Sequence, residues 1–346
     1  MEHPDLLHLY SLMFKSRLFE EHVVQIWNDG LITGEMHTSI GEEAIYAGLI
    51  DHLADGDALA LDHRTTSPSI IRGVDPKSLL LEFLGHENGL CSGNGGHMHI
   101  FSKSHLLASS GIVGASGPAA LGFALAAQHL RPGKIALSFF GEGAANQGMM
   151  MESFNMAAAL RLPVLFVCKD NGMAITTQSS EVTSGNLISR AQSFGMHSLE
   201  LDGADAAVVW RESGKMISGI RMGEGPAFIL AKCHRPQGHF LGDPLLRISE
   251  KPLKELSQIS GPLIKSVTKY KGATLKQRMS SLKKVTSLLG KTMKSGKSGN
   301  RDPVSLLRAR LVKESSGIED LETEVINEIE KVVESVLNIY MERSES

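Results

Sequence analysis

Apolar runs and helical periodicities alternate along most of this chain and divide it into strands and helices. Two continuous apolar runs, residues 135–140 and 164–168, are too short for helices and are predicted to be buried strands. Residues 147–160 between them are rich in Met, Ala and Leu at helical spacing, which predicts a crossover helix. Two parallel strands joined by one helix end at the same edge of a sheet. The pattern therefore predicts an α/β fold built on a doubly wound parallel sheet.

The remaining pattern extends this arrangement on both sides. Further strands are predicted at residues 58–61, 199–202 and 227–233, and helices at 4–27, 76–86, 118–130, 204–222, 302–314 and 320–341. Residues 178–193 are polar and strand-poor, so we expect a loop that orders on ligand binding. Residues 251–297 are rich in Lys and contain an amphipathic helical stretch, which fits either a partner-docking surface or a solvated insertion. The predicted organisation is an α/β domain (1–250), a basic insertion and linker (251–300), and C-terminal helices packing on the main domain (301–346).

Composition and charge exclude several classes of protein. The net charge of −3 over 346 residues argues against a nucleic-acid surface spread over the chain. The three cysteines show no CxxC spacing, so neither a zinc site nor a disulfide framework is indicated, and a reducing compartment is expected. Apolar runs of about 18 residues are absent, and the N-terminal sequence has neither signal-peptide nor transit-peptide character. We expect a cytoplasmic protein that binds neither membrane nor nucleic acid.

Candidate chemistry lies where the two central strands end. Glu142 follows the first strand in the turn Gly141-Glu142-Gly143, and Asn171 follows the second. A carboxylate and an amide oxygen at adjacent strand ends are ligands that Mg²⁺ accepts, while its other positions stay open to phosphate oxygens and water. Gly143 allows the backbone to approach a phosphate closely, and the next helix N-terminus favours negative charge. Taken separately, each turn is a common structural motif, and only the pair points to a cofactor.

The surrounding segments resemble one family. GEGAANQG, FNMAAALRLPVLFVC and DNGMAITT resemble the alpha subunit of the thiamine diphosphate-dependent, decarboxylating dehydrogenase component of 2-oxo acid and acetoin dehydrogenase complexes. The resemblance covers residues 5–244 and 302–336. It implies a thiamine diphosphate-binding fold in which Glu142, Asn171 and the main-chain carbonyl of Met173 hold Mg²⁺. Most members have Asp at position 142, although the branched-chain branch has Glu, and most have Tyr at position 173.

The same resemblance implies the remaining site residues. In the family, His63 and Arg64 would bind the diphosphate, and Gly143 and Ala144 would form the turn beside it. His239, on the loop GHFLGDP, would line the active site and serve as the catalytic group, because His suits proton transfer near neutrality. The backbone of the turn before the helix at 118–130 would bind the aminopyrimidine ring. The two positions involved there are Gly111 and Val113.

Some positions depart from the family pattern. Thr66 stands where members usually have His, and His97 stands where they usually have Ser, in the loop GLCSGNGGHMHIF. This loop holds several His, but a loop over the cofactor is favoured over a zinc site. Phe240 and Gly242 replace the serines that are phosphorylated in animal pyruvate enzymes, so that control is not expected. The His-Arg pair and the GHFLGDP loop resemble the acetoin-type branch.

The resemblance implies an oxidoreductase that works only with a beta subunit, in an α₂β₂ assembly. Substrates would be a pyruvate-type or branched 2-oxo acid or acetoin, and the acyl group would pass to a lipoyl-bearing transacylase. The cofactor would supply the difficult chemistry, while the protein orients it. The carboxylate that activates the cofactor would come from the beta subunit, and no candidate for it is found in this chain.

Two alternative functions stay open. One is a catalytically decayed, thiamine diphosphate-binding regulatory or structural subunit. The other is a nucleotide site, which is disfavoured because GxxxxGK[ST] and the third dinucleotide-type Gly are missing.

Overall fold

The computed structural model describes residues 3–243, 301–314 and 317–344, with isolated residues between 274 and 283. Its strands are β1 (Ala58–Leu61), β2 (Phe101–Ser102), β3 (Leu107–Ser109), β4 (Ala136–Gly141), β5 (Val164–Asp170), β6 (Met173–Ala174), β7 (Thr177–Gln178), β8 (His197–Asp202) and β9 (Ala227–Lys232). Its helices are α1 (Leu6–Asn28), α2 (Glu43–Ile50), α3 (Thr66–Arg72), α4 (Pro76–Phe83), α5 (Ser116–Leu130), α6 (Gly148–Ala159), α7 (Ser179–Val182), α8 (Leu187–Gln192), α9 (Ala206–Arg221), α10 (Pro303–Glu314) and α11 (Ile318–Ser344). A short 3₁₀ turn, Ala144–Asn146, precedes α6.

The prediction of a doubly wound, mostly parallel sheet is confirmed. Seven of the described strands form one sheet in the order β2-β3-β1-β4-β5-β9-β8, in which the β2–β3 pair is antiparallel and the other pairs are parallel. Strands β6 and β7 form a separate antiparallel pair. The chain passes from β1 to β3 on one side and then to β4 on the other, so the winding direction reverses between β3 and β4 around β1. The carboxyl ends of β1, β3 and β4 therefore flank the position where open α/β sheets bind ligands.

The central strands are mostly apolar because both faces of the sheet are covered. Along β4, Leu137 and Phe139 belong to the larger core cluster, which also takes in residues of α1, α2, α9 and the C-terminal helices. The alternating positions Ala136 and Phe140 belong to the second cluster, under α5 and α6. This two-residue alternation is the periodicity of a strand, and here both phases of it are buried.

The C-terminal helices contact the first helix of the chain. Lys15 of α1 donates to Glu328 of α11 at 2.6 Å, Arg17 donates to Asp302 just before α10 at 2.5 Å, and the Tyr10 hydroxyl donates to Glu322 of α11. The predicted division into three regions stays a prediction, since these contacts do not define domain boundaries. The predicted basic helix between 251 and 297 lies almost wholly outside the described residues.

The prediction of a loop over residues 178–193 is wrong, because α7 and α8 lie there. The Asn186 side chain caps α8 by accepting from the backbone N–H of Ser189 at 3.1 Å. Arg190 of the same helix donates to the Ala145 carbonyl and to Asn146 Oδ1, each at 3.0 Å. Helices of four and six residues are too short to show a periodic pattern, and these depend on contacts with distant parts of the chain.

The other predicted helices and strands within the described residues are present, with ends shifted by a few residues. None of the described helices has both the length and the apolar composition needed to cross a bilayer.

Candidate active site

A cavity of about 380 Å³ lies at the carboxyl edge of the sheet, where the strand order reverses. Its wall includes Asp62 and His63 after β1, Gly111 after β3, Glu142 after β4 and Arg235 after β9. The size is that of a small-molecule site, and the topological position is the one that the fold offers to ligands. The cavity therefore gathers the ends of four strands that are far apart in sequence.

Three oxygen atoms converge on one side of this cavity. Asn171 Oδ1 lies 3.0 Å from Glu142 Oε1 and 3.0 Å from the Met173 carbonyl oxygen. No hydrogen bond joins oxygens in this orientation, and one would form only if the amide were turned so that its nitrogen donated to both. Neighbouring oxygens around an octahedral Mg²⁺ at 2.0–2.1 Å are about 3.0 Å apart. With the amide oxygen inward, the distances from Asn171 Oδ1 to the other two oxygens therefore match those between neighbouring ligands of such an ion.

Glu142 is buried, with 2% of its surface exposed, and its Oε1 accepts from the Ser179 hydroxyl at 3.1 Å. Burial raises the pKa of this carboxyl, Arg235 opposes that effect, and Asp170 adds to it. A divalent cation beside Glu142 would stabilise the ionised form of the carboxyl. The oxygen ligands present here therefore suit a cation. That these groups bind Mg²⁺ stays a prediction.

The predicted diphosphate residues occupy the other side. Arg64 is only 1% exposed and does not line the cavity: its Nη1 donates to the Thr38 carbonyl at 2.5 Å and its Nη2 to the His239 carbonyl at 2.7 Å. His63 and His239 do line the cavity. Burial, followed by the Arg64 charge, lowers the pKa of His63 to about 2 and that of His239 to about 4. Both imidazoles are therefore neutral in this arrangement.

Two buried polar atoms at this end have no hydrogen-bond partner among the described residues, His63 Nε2 and Arg64 Nε. Buried donors and acceptors are nearly always paired in folded proteins, so the unpaired Nε2 of His63, a residue of the cavity wall, indicates a polar ligand. Arg64 does not line the cavity, so it would act on such a ligand through its positive charge.

A buried ion network supports the cavity wall from behind. Glu42 is fully buried and accepts from Lys169 Nζ at 2.9 Å and from Arg235 Nε at 2.6 Å. Burial alone would raise the pKa of Glu42, but Lys169, Arg235 and Arg64 outweigh it and hold the pKa well below its usual range. Arg235 thereby presents a fixed positive charge at the cavity, and this charge is the natural partner of an anionic ligand.

The predicted site residues do not all lie at the cavity. Those that line it are His63, Gly111, Val113, Glu142, Gly143, Ala144, Met173 and His239. Asn171 adjoins it through the oxygen cluster, and Arg64 lies behind it. Neither the cofactor role nor the catalytic role of any of these residues is tested by this geometry.

Sequence reasoning missed Arg235, His37 and the role of Glu42. Arg235 follows strand β9 at the edge of the sheet where Glu142 and Asn171 lie, so the strand-end rule that selected those two residues also applied to it. Glu42 immediately precedes α2, and no local pattern indicates its two cationic partners, which are more than 120 positions away in sequence. His37 lies in an irregular segment with no motif around it.

Comparison with known proteins gives a consistent result. The sequence profile described as "Dehydrogenase E1 component" matches residues 10–289. The alpha subunit of acetoin:2,6-dichlorophenolindophenol oxidoreductase from Cupriavidus necator is 39% identical over 245 residues, which cover 70% of this chain and 74% of that protein. The pyruvate dehydrogenase E1 component subunit alpha from Zymomonas mobilis is 34% identical over 265 residues, or 76% and 75% of the two chains. The Bacillus subtilis counterpart of the acetoin enzyme subunit is 36% identical over 239 residues, or 68% and 72%.

The family prediction made from the strand-end motifs is thus confirmed, with a match that spans most of the chain and contains the whole cavity. This protein belongs to the dehydrogenase E1 component family.

Proposed function

We propose that this chain is the alpha subunit of a thiamine diphosphate-dependent dehydrogenase that acts on a 2-oxo acid or on acetoin. Its relatives are named as alpha subunits of pyruvate dehydrogenase and of acetoin oxidoreductase. The observation that carries the proposal is the convergence of Glu142, Asn171 and the Met173 carbonyl beside a cavity that also contains Arg235. Nothing in the described part of the chain favours the alternative of a catalytically decayed subunit. The expected location is the cytoplasm.

In this proposal, Glu142, Asn171 and the main-chain carbonyl of Met173 would hold Mg²⁺, whose positive charge would favour the diphosphate. His63 and Arg235 bind the diphosphate oxygens, with Arg64 adding positive charge from behind His239. When bound, thiamine diphosphate supplies the carbon nucleophile and the electron sink. The protein residues orient it, exclude water and, through His239, exchange protons with the substrate.

Gly143 supports this assignment on steric grounds. A Cβ atom at Gly143 would lie 2.9 Å from the Ala174 Cβ, so a side chain there would push the turn against the strand that carries the Met173 carbonyl.

The turn at residues 111–114 is exposed at the cavity rim, where Ile112 is 63% exposed and Val113 is 51% exposed. A rim of this kind favours a second protein chain that covers the cavity, and a beta subunit fits this role.

The proposal is tested by isothermal calorimetric titration of thiamine diphosphate into the chain, with its beta subunit, in the presence and absence of Mg²⁺. Binding should require the cation, and Glu142→Ala should weaken it at least 100-fold while leaving the melting temperature unchanged or raised, since a buried carboxylate is removed. Glu152→Ala, at an exposed position on α6, is the matched control and should bind as the wild type does. Cation-independent binding, or unchanged affinity of Glu142→Ala, would contradict the metal assignment.

Catalysis is tested by reconstitution. The chain and a candidate beta subunit should reduce an artificial electron acceptor with pyruvate, a branched 2-oxo acid or acetoin, and neither chain should do so alone. Transfer of the acyl group to a lipoyl-bearing transacylase is the next step of the same assay. Absence of turnover with every substrate, from an assembly that binds the cofactor, would overturn the enzymatic proposal.

A further inference from the structure

His97 makes a direct contact with the cavity residue His37. Both side chains are buried, His37 with 5% and His97 with 8% of the surface exposed. His37 Nδ1 lies 3.0 Å from His97 Nε2. Because this distance is much shorter than the 5.3 Å between the ring centroids, and the ring planes are only 24° apart, the two rings meet edge to edge. One hydrogen bond therefore joins the two rings, and its hydrogen belongs to one of them.

A second contact decides which ring carries that hydrogen. The backbone N–H of His37 donates to the same His97 Nε2 at 3.3 Å. A backbone amide always carries its hydrogen, so His97 Nε2 must be the acceptor and cannot carry one. The ring hydrogen between the two imidazoles is then on His37 Nδ1. The backbone of His97 is itself held, since the Thr65 hydroxyl donates to the His97 carbonyl at 2.6 Å.

We propose that His97 is a positioning residue that keeps the hydrogen of His37 on Nδ1, so that His37 offers Nε2 to the substrate as a hydrogen-bond acceptor. His37 lines the cavity and its Nδ1 edge is covered by His97, which leaves Nε2 for a ligand. In a neutral imidazole, the partner of one ring nitrogen determines what the other can do. The inference rests on the proposed function for the identity of that ligand, but the tautomer itself does not depend on it.

The surroundings keep His37 uncharged. Burial, and then the neighbouring His63 and Arg64, lower the pKa of His37 to about 2. The ring of His37 also meets those of His63 and His239 nearly at right angles, with centroids 4.5 Å and 5.0 Å away. The cavity nitrogen of His37 is therefore a neutral acceptor rather than a cationic donor.

A neutral hydrogen-bond acceptor distinguishes between acetoin and pyruvate, the two compounds in the names of the relatives. A 2-hydroxyketone has a hydroxyl group that donates to Nε2. The carboxylate of a 2-oxo acid has no hydrogen to donate, and its oxygen lone pairs would face the nitrogen lone pair. The substrate class assigned by this geometry is a 2-hydroxyketone, with its hydroxyl group on His37.

The tautomer is tested by ¹⁵N NMR of the full chain labelled at histidine, with the His37 signals assigned through their loss in His37→Gln. The wild type should show hydrogen on Nδ1 and a bare Nε2 at neutral pH. His97→Ala should redistribute the hydrogen, His97→Gln should restore it because the side-chain oxygen is again an acceptor, and His105→Ala should change nothing. His105 lies in the same part of the chain but bonds to Ser102 and Ser104. Hydrogen on His37 Nε2 in the wild type would overturn the proposal, whether or not thiamine diphosphate binds.

The substrate class is tested on the assembled enzyme with acetoin, its O-methyl ether and pyruvate. Acetoin should have the highest kcat/KM, and the ether should compete at least tenfold more weakly than acetoin, the factor for one hydrogen bond. His97→Ala should lower the acetoin-to-pyruvate ratio of kcat/KM about tenfold, and His97→Gln should recover most of it. A preference for pyruvate, together with the expected tautomer, would overturn the substrate assignment. Failure of thiamine diphosphate to bind is read separately by calorimetry, so it would contradict the proposed function and not the tautomer.

Discussion

Replacement of Glu42 by Gln should destabilise the protein strongly. The side chain is fully buried between Lys169 Nζ at 2.9 Å and Arg235 Nε at 2.6 Å, and Lys169 is itself fully buried. Removing one member of a buried ion pair typically costs about 3–5 kcal/mol, because the remaining charges have lost their counter-charge. The unfolding entropy of a chain of 346 residues is about 0.7 kcal/mol/K, so the melting temperature should fall by about 4–7 °C.

The assay is differential scanning calorimetry at pH 7, with Glu212→Gln as the control. Glu212 also accepts from two cationic groups, Lys215 Nζ and Arg211 Nε, each at 2.8 Å, but those partners are 66% and 54% exposed. The control should therefore change the melting temperature by no more than about 1 °C. Equal effects of the two substitutions, or a change below about 1 °C for Glu42→Gln, would refute the idea that burial makes this network important.

The pH dependence has a definite sign. Because the pKa of Glu42 is lower in the folded protein than in the unfolded chain, its contribution is fully present above the unfolded value of about 4.3 and is lost as the pH falls further. The difference in melting temperature between wild type and Glu42→Gln should therefore be constant from pH 6 to 8 and should shrink below about pH 4.

Three other predictions, one of them with a comparison variant, test separate features of the structure. Burial raises the pKa of Glu20 to about 8, so the free energy of unfolding should fall as the pH rises from about 5 to 8, and urea titrations should show that Glu20→Gln lacks this fall. Gly41→Ala should lower both the melting temperature and the affinity for thiamine diphosphate, because its Cβ would lie 2.0 Å from the His234 carbonyl oxygen, next to Arg235. Gly34→Ala has a similar positive φ but no neighbour within 4 Å, so a calorimetric scan should show only the smaller effect of backbone strain. Leu125→Asp, at a 36% exposed position of α5, the helix that follows the exposed turn at residues 111–114, should weaken assembly with a beta subunit in analytical ultracentrifugation and leave the melting temperature of the isolated chain unchanged.

The sheet and one half of the cavity were predictable from the sequence because they depend on local patterns. The apolar runs of β4 and β5 are continuous, and the rule that parallel strands end at one edge brought Glu142 and Asn171 together. His63 and His239 came from the resemblance to the family. Arg235 was within reach of this reasoning, since it follows β9, but it lacks a motif of its own.

The rest of the site depends on contacts that no local pattern contains. His97 and His37 are 60 positions apart, and neither lies on a periodic element that would indicate their pairing. Glu42 immediately precedes a buried helix, so helix packing is the usual interpretation of this position. Only the fold shows its two cationic partners. The burial of Arg64 could not be predicted either, because the carbonyls that accept its hydrogen bonds belong to Thr38 and His239.

The contact between α1 and α11 determines when this protein can complete its fold. Leu9 and Met13 of the first helix share one core with Ile329 and Val333 of the last described helix, although more than 300 residues separate them. During synthesis, α1 lacks its contacts with α11 until that helix has left the ribosome, long after the sheet strands have emerged. A chaperone that binds exposed apolar helices would find its target in α1, and a stop codon ahead of α11 would leave this surface of α1 without its partner helix in every molecule made.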